Sequence, residues 1–225
     1  MLTGSAPRTR VKICGITRPE DAVAAARAGA DAIGLVFWPG TPRCVSFEQA
    51  RAIAAALPAF VTTVGLFVDP HPDAVRTTLA AVSLDLLQFH GDESPELCAS
   101  FGRPYIKAVP VRPGGDLLQY ASRFSGARAL LFDAYQPGGT PGGTGATFDW
   151  TQLPPQLTSA SSRRLILSGG LNPGNVATAI RQVRPWGVDV SSGVEATGDD
   201  GRPRKGIKSE TRILAFLREV RSADS

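Results

Sequence analysis

Eight short apolar runs, each about the length of one strand, alternate with helical segments along almost the whole chain. The runs span residues 11–16, 32–37, 62–68, 86–90, 105–111, 129–134, 165–168 and 187–191. Runs that are apolar throughout are typical of parallel strands covered on both faces. The segments between them carry helix-start signals, such as Thr17 and Ser46 as N-caps and Pro95 at a first helical position. The sequence therefore predicts an α/β chain of eight βα units.

Eight consecutive βα units favour a single-domain (β/α)8 barrel, with the active site at the C-terminal ends of the strands. The alternative is an open doubly wound sheet, but no G-x-G-x-x-G motif follows the first run. We expect residues 1–10 to form a flexible tail and residues 11–221 to form the catalytic barrel, with no linker inside it.

Charge and composition indicate which kinds of ligand or partner the chain binds. The chain has 225 residues, a net charge of +4 and an apolar fraction of 43%, which suits one large core and a small anionic substrate. The basic residues are scattered, so we do not expect nucleic acid binding. The densest basic group is interpreted as a solvated loop before the last helix and consists of Arg202, Arg204, Lys205 and Lys208.

The cysteine pattern predicts neither a disulfide framework nor a zinc site. Cys14, Cys44 and Cys98 are odd in number, with no C-x-x-C pair and no histidine-rich ligand set. We accordingly expect no metal, and no cofactor motif is present. Residues 1–10 are polar, and no apolar run approaches the length of a membrane span. We expect a cytoplasmic protein without a membrane partner.

Polar side chains occupy the ends of several predicted strands. Cys14 ends the first strand, Gln88 and His90 end the fourth, Asp133 the sixth and Asp189 the eighth. Because barrel strands point their C-terminal ends at one mouth, we expect these side chains to converge there. Each alone indicates little, since a buried cysteine or histidine is more often an inert core residue.

Two glycine-rich turns and one arginine are also expected at the C-terminal ends of the strands. Gly169–Gly170 and Ser192–Gly193 follow the seventh and eighth strands, where bare backbone N–H groups commonly bind phosphate. Arg43, after the second strand, has the geometry to pair bidentately with a carboxylate. Residues 136–145 are rich in Gly and Pro, a composition that favours a lid or binding loop over a packed element.

Several motifs recur in a specific order over residues 11–217. They are KICGIT at 12–17, GLVF at 34–37 with TPR at 41–43, QFHGDE at 88–93, GGTG at 142–145 with FDW at 148–150, SGGLNP at 168–173 and VDVSSGVE at 188–195. Together they resemble phosphoribosylanthranilate isomerase, an enzyme family of tryptophan biosynthesis. The resemblance implies an Amadori rearrangement of N-(5-phosphoribosyl)anthranilate to 1-(2-carboxyphenylamino)-1-deoxyribulose 5-phosphate, without metal or cofactor.

The same resemblance assigns roles to residues. It implies Asp133 as the general acid that opens the sugar ring and Cys14 as the general base at sugar C2. The implied substrate-binding residues are Arg43, on the anthranilate carboxylate, with Gln88, His90 and Asp189. The implied phosphate-binding residues are Gly145, Gly169, Gly170, Ser192 and Gly193.

The implied chemistry makes two physical demands. An ordinary aspartate is ionised at neutral pH, so Asp133 has to be protonated by its surroundings. Cys14 has to be partly thiolate, and a cation such as Lys12 or a helix N-terminus would favour that form.

Two positions depart from the family pattern. Ala146 replaces a common Lys, and Ser209, a competent N-cap, replaces a common Asp. The alternatives are a related isomerase of histidine biosynthesis, which typically has an aspartate in place of Cys14, and a non-catalytic sensor of a phosphorylated ligand. The sequence leaves a monomer or a homodimer open.

Overall fold

Eight parallel strands close into a barrel in simple chain order, which confirms the predicted fold class. The structure is a computed structural model that describes residues 8–112, 114–134, 145, 147–158 and 165–225. The barrel strands are β1 Arg10–Cys14, β2 Ala32–Val36, β3 Thr62–Phe67, β4 Leu86–Phe89, β5 Tyr105–Val111, β6 Ala129–Ala134, β7 Leu165–Leu167 and β8 Gly187–Val190.

Helices follow the strands on the outside of the barrel. They are α1 Pro19–Ala28, α2 Phe47–Ala56, α3 Pro72–Ala81, α4 Pro95–Ala99, α5 Leu117–Arg123, α6 Pro155–Thr158, α7 Val176–Val183 and α8 Glu210–Asp224. Short 3-10 turns span Trp150–Gln152 and Ser192–Val194. Among the described residues, no helix combines the length and apolarity needed to cross a membrane.

Local sequence explains most helix starts. Ser46 and Gln49 form a reciprocal capping box at α2, and Ser94 caps α4 with Pro95 at its first position. The expected Thr17 cap is wrong: α1 begins after Arg18, which makes no side-chain cap. The Thr17 hydroxyl instead donates to the carbonyl of Gly206 at 2.6 Å, which ties the start of α1 to a distant segment.

The core has two compartments because strand residues alternate between faces. The larger apolar cluster fills the layer between strands and helices. Inside the barrel, a small cluster of Ile106, Ala108, Ala129 and Leu131 fills one end. A second small cluster, formed by Cys14, Val36 and Leu66, lies towards the C-terminal ends of the strands.

The last loop contains an element that the sequence did not predict. Strands β9 Glu195–Thr197 and β10 Pro203–Lys208 form an antiparallel hairpin before α8. The interpretation of the basic group as a solvated loop is wrong for Lys208, whose side chain is fully buried. Arg202, Arg204 and Lys205 are exposed, so Lys208 alone of these four basic residues is buried.

The described N-terminal residues are tied to the barrel. The Thr9 backbone N–H and hydroxyl donate to Asp224 at the end of α8, at 2.9 and 2.6 Å. Arg8 pairs with Asp31, and Arg10 already belongs to β1. The predicted tail thus remains a prediction for residues 1–7, which lie outside the described residues.

A fully buried ion pair fixes the loop after β4. Lys107 of β5 lies 2.9 Å from Glu93, and both side chains have no exposed surface. Glu93 also accepts hydrogen bonds from the backbone N–H groups of Asp69 and Gly91. The loop that carries His90 is therefore held to β5 and to the loop after β3.

We expect Lys107→Met to lower the free energy of unfolding by about 3–5 kcal/mol, because it leaves the Glu93 charge buried without its partner. Urea unfolding measures this loss. Adding Glu93→Gln to that variant should recover part of it. Arg76→Met, which breaks an exposed pair with Asp73, is the control and should change little. A Lys107 variant as stable as wild type would contradict the role of the pair.

Candidate active site

A pocket opens at the C-terminal ends of the barrel strands, as the fold predicts. Its polar wall brings together side chains from six strand ends or the loops that follow them: Cys14, Arg43, His90, Asp133, Ser168 and Asp189. Its apolar wall includes Val36, Trp38 and Leu66. Five of these polar residues were predicted site residues, and Ser168 belongs to the predicted SGGLNP motif.

Cys14 lies at the end of β1 with 5% of its surface exposed. Burial raises the pKa of its thiol, while the charge of Lys12 opposes that rise. Lys12 precedes Cys14 by two residues and therefore points to the same side of the strand. The thiol thus lies in a buried site with the Lys12 cation beside it.

Lys12 forms a buried ion pair with Asp189, with 2.9 Å between Nζ and Oδ1. The register of β1 against β8 places the two residues directly opposite each other. Burial alone would lower the pKa of Lys12, but Asp189 and Cys14 raise it above its usual value. Gly34 of β2 makes room, because an added Cβ would lie 2.7 Å from Cys14 Sγ and 3.0 Å from Lys12 Nζ.

Asp133 lies near the end of β6 and is 7% exposed. Its Oδ2 lies 3.1 Å from Nε2 of His90, and its Oδ1 accepts a hydrogen bond from the Ala134 N–H at 2.9 Å. His90 Nδ1 lies 3.1 Å from the amide nitrogen of Gln88. Gln88 is completely buried and does not line the pocket, so the structure places it behind His90.

Arg43 is held by a carboxylate that we did not predict as a site residue. Its Nε and Nη2 donate to the two oxygens of Glu195 at 2.6 and 2.9 Å, and both side chains are buried. Burial works against it, but these bonds and the charge of Lys208 keep the pKa of Glu195 below its usual value. The guanidinium is therefore fixed at the pocket wall as a rigid fork.

Lys208 completes this buried network. Its Nζ donates to the Ser191 carbonyl at 3.0 Å and lies 3.4 Å from Glu195. Burial lowers the pKa of Lys208 to about 8, against the opposing effect of Glu195. The β9–β10 hairpin thus supplies the support for Arg43, which lies 152 residues from Glu195 in the sequence.

The two glycine turns meet beside the pocket. Gly169 and Gly170 have φ of 84° and 61°, a region that favours glycine. A Cβ at Gly193 would lie 1.9 Å from the Leu171 carbonyl, so only glycine allows the turns after β7 and β8 to touch. A Cβ at Gly145 would lie 3.8 Å from the Ser192 hydroxyl, which places all of the predicted phosphate residues at one corner.

Asparagine side chains stiffen this corner. The amide groups of Asn172 and Asn175 donate to the Gly170 carbonyl at 3.2 and 3.0 Å. The predicted lid, residues 136–145, lies outside the described residues except for Gly145, and so does Ala146. Within the described ranges, no group of three His, Cys, Asp or Glu residues is arranged to hold a metal ion.

Sequence reasoning missed the groups that support the site. Glu195 ends the VDVSSGVE motif, but its partner Arg43 lies 152 residues away in the sequence. Nothing in the sequence distinguishes Lys208 from three basic residues just before it, and those three are exposed. Strand parity could have placed Lys12 on the same side of β1 as Cys14, whereas its position opposite Asp189 depends on the register of β1 against β8.

The site joins a buried thiol with a neighbouring cation, a carboxyl group bonded to histidine, an arginine fixed by Glu195 and a corner formed by glycine turns. Such a set can exchange protons with a small phosphorylated substrate that also carries a carboxylate.

Comparisons with known proteins agree with this chemistry. The family model described as N-(5'phosphoribosyl)anthranilate (PRA) isomerase matches residues 11–217. Relatives of that name include one from Nitrosospira multiformis, 54% identical over 96% of this chain and 98% of its own. Another, from Pseudomonas syringae pv. tomato, is 56% identical over 94% of this chain and 97% of its own.

Solved structures agree as well. A phosphoribosyl anthranilate isomerase from Thermus thermophilus superposes with a TM-score of 0.81 at 38% identity, covering 95% of this chain and 99% of its own. A second such isomerase, solved with reduced 1-(o-carboxyphenylamino)-1-deoxyribulose 5-phosphate, has a TM-score of 0.79 at 38% identity and the same coverage. The chain therefore belongs to the N-(5'-phosphoribosyl)anthranilate isomerase family.

Proposed function

We propose that the chain isomerises N-(5'-phosphoribosyl)anthranilate to 1-(2-carboxyphenylamino)-1-deoxyribulose 5-phosphate, a step of tryptophan biosynthesis. The observation that carries this is a single pocket lined by Cys14 and Asp133, in a chain whose family is defined by the reaction. Family membership supports the reaction, and the residue roles are those that the family resemblance implies, applied to the side chains that line this pocket.

Two proton donations and two proton removals balance the reaction. Asp133 protonates the ring oxygen, and the C1–O bond breaks to give an open-chain iminium. Cys14, as thiolate, removes the proton from C2 to give an enolamine. Ketonisation then adds a proton at C1 and releases one from the C2 hydroxyl. The product is an isomer of the substrate, so no redox partner is needed.

The remaining side chains position the substrate. Arg43, locked by Glu195, is assigned to the anthranilate carboxylate, and Asp189, paired with Lys12, to the sugar or the anthranilate amine. His90 contacts the acid. The phosphate is assigned to the corner formed by Gly145, Gly169, Gly170, Ser192 and Gly193, where backbone N–H groups favour an anion.

Cys14 distinguishes the proposed reaction from that of the histidine-pathway isomerase, which typically has an aspartate at this position.

The sequence leaves a monomer or a homodimer open, and we favour the homodimer. The support for a homodimer is that one Thermotoga maritima relative is described as dimeric. A cytoplasmic location stays a prediction.

We expect Cys14→Ala and Asp133→Ala each to lower turnover of freshly generated phosphoribosylanthranilate by about 10²–10⁴-fold, because each removes one proton-transfer group. Loss of anthranilate fluorescence measures turnover, and calorimetry with a reduced product analogue measures binding, which should persist. Cys98→Ala, in α4, is the matched control. Wild-type binding without turnover would favour a sensor, and turnover of only the histidine-pathway aminoaldose would favour that isomerase.

We expect Lys12→Met to raise the pKa of the Cys14 thiol further, since the cation is lost and the Asp189 charge is left uncompensated. The thiolate forms as pH rises through that pKa, so the rising limb of the pH–rate profile should move to higher pH. Iodoacetamide labelling against pH, with Cys44 and Cys98 replaced, reports the same shift.

Lys205→Met is the control for that variant, because Lys205 is exposed on β10. An unchanged labelling midpoint in Lys12→Met would contradict the role of Lys12.

A further inference from the structure

Gln88 is buried behind the site in a way that ordinary packing does not explain. It has no exposed surface, and its Oε1 has no hydrogen-bond partner within the described part of the chain. Unpaired polar atoms are rare in dry interiors, and an apolar residue of similar size would avoid the penalty. The amide nitrogen Nε2 of Gln88 lies 3.1 Å from Nδ1 of His90.

This contact determines where the proton of a neutral imidazole lies. An amide nitrogen only donates, so His90 Nδ1 has to accept, and the imidazole proton then lies on Nε2. That Nε2–H points at Asp133 Oδ2, 3.1 Å away, while Ala134 N–H donates to Oδ1. In this arrangement both oxygens of Asp133 accept hydrogen bonds, as suits the ionised form.

Reversing the amide of Gln88 produces the opposite arrangement. Its Oε1 then accepts from an Nδ1–H of His90, and Nε2 of His90 becomes an acceptor that faces a protonated Asp133. One buried amide atom is unpaired in either orientation, so the reversal adds no new unpaired group. The two arrangements differ by one proton on the His90–Asp133 pair.

We propose that Gln88 is a positioning residue for the general acid: the orientation of its amide selects the proton arrangement of His90, and through it whether Asp133 carries the proton that opens the ring. This inference rests on the proposed function. The pair shares its pocket with Cys14, Arg43 and Asp189, and Glu93 and Lys107 lie behind the loop that carries His90. All of these groups are retained in the variants below.

Histidine nitrogen NMR tests the proton arrangement without substrate. The chain has two histidines, and the side chain of His71 is mostly exposed, so it serves as an internal reference. In ¹⁵N-histidine-labelled wild type we expect His90 to carry its proton on Nε2 at alkaline pH and to gain one on Nδ1 as the pH falls. Gln88→Met, which neither donates nor accepts there, should populate both tautomers at alkaline pH.

Gln88→Glu supplies an acceptor in a fixed role and should hold a proton on Nδ1 at every pH. An Nδ1–H tautomer in alkaline wild type, or the wild-type tautomer in Gln88→Met, would overturn the proposal. Both of these results come from wild type and Gln88→Met alone. The test therefore stays decisive even if the buried carboxylate of Gln88→Glu prevents that variant from folding.

Kinetics supplies the second test. The acid works only when protonated, so activity falls as rising pH removes its proton. Gln88→Glu favours the arrangement in which Asp133 carries the proton, so this falling limb should move to higher pH. Gln88→Met should lower kcat by about tenfold, part of what a positioned acid contributes, with KM within about twofold because Gln88 does not line the pocket.

Gln182→Glu, exposed on α7, makes the same chemical change away from the pocket and should alter neither parameter. A raised KM with unchanged kcat in Gln88→Met would instead make Gln88 a substrate contact and overturn the proposal. Absence of isomerase activity in wild type would overturn the proposed function, whereas unchanged His90 tautomers would overturn this inference alone.

Discussion

The buried ion pair between Lys12 and Asp189 joins the closure of the barrel to its chemistry. Strand β1 pairs with β8 in a register that places these two residues opposite each other, so barrel closure and ion pairing occur together. A buried ion pair is weak evidence for stability, because desolvation offsets much of the attraction. Its consequence here is chemical: Lys12 places a cation beside Cys14, in a site where burial alone would suppress the thiolate.

The parts of the fold that depend on local patterns could be predicted from the sequence. Apolar runs predicted the order of the barrel strands, and Ser46 and Ser209 cap helices as expected. The β9–β10 hairpin could not be predicted, because β10 carries three basic residues and its first three residues are exposed. Burial of Lys208 depends on Glu195 and Ser191, contacts that exist only after the hairpin folds over the end of β8.

The site was predictable as a set of strand ends but not as a network. The sequence predicted Arg43 at the pocket. It did not predict that Glu195 pairs with Arg43, because that contact forms across the barrel mouth in the folded chain. Likewise, three residues of the QFHGDE motif make different contacts, and their spacing in the sequence does not predict which contact each one makes. Its His90 contacts Asp133, its Gln88 lies behind His90, and its Glu93 ties the following loop to Lys107.

The most direct test of the account is a crystal structure of this chain with reduced 1-(o-carboxyphenylamino)-1-deoxyribulose 5-phosphate, a compound already bound in one relative. The account predicts the carboxylate on Arg43, the phosphate on the glycine corner, and Cys14 Sγ in contact with sugar C2. It also predicts Asp133 within hydrogen-bond distance of the C4 oxygen that leaves the ring. Placement of Cys14 and Asp133 away from these atoms, with the ligand fully bound, would contradict it.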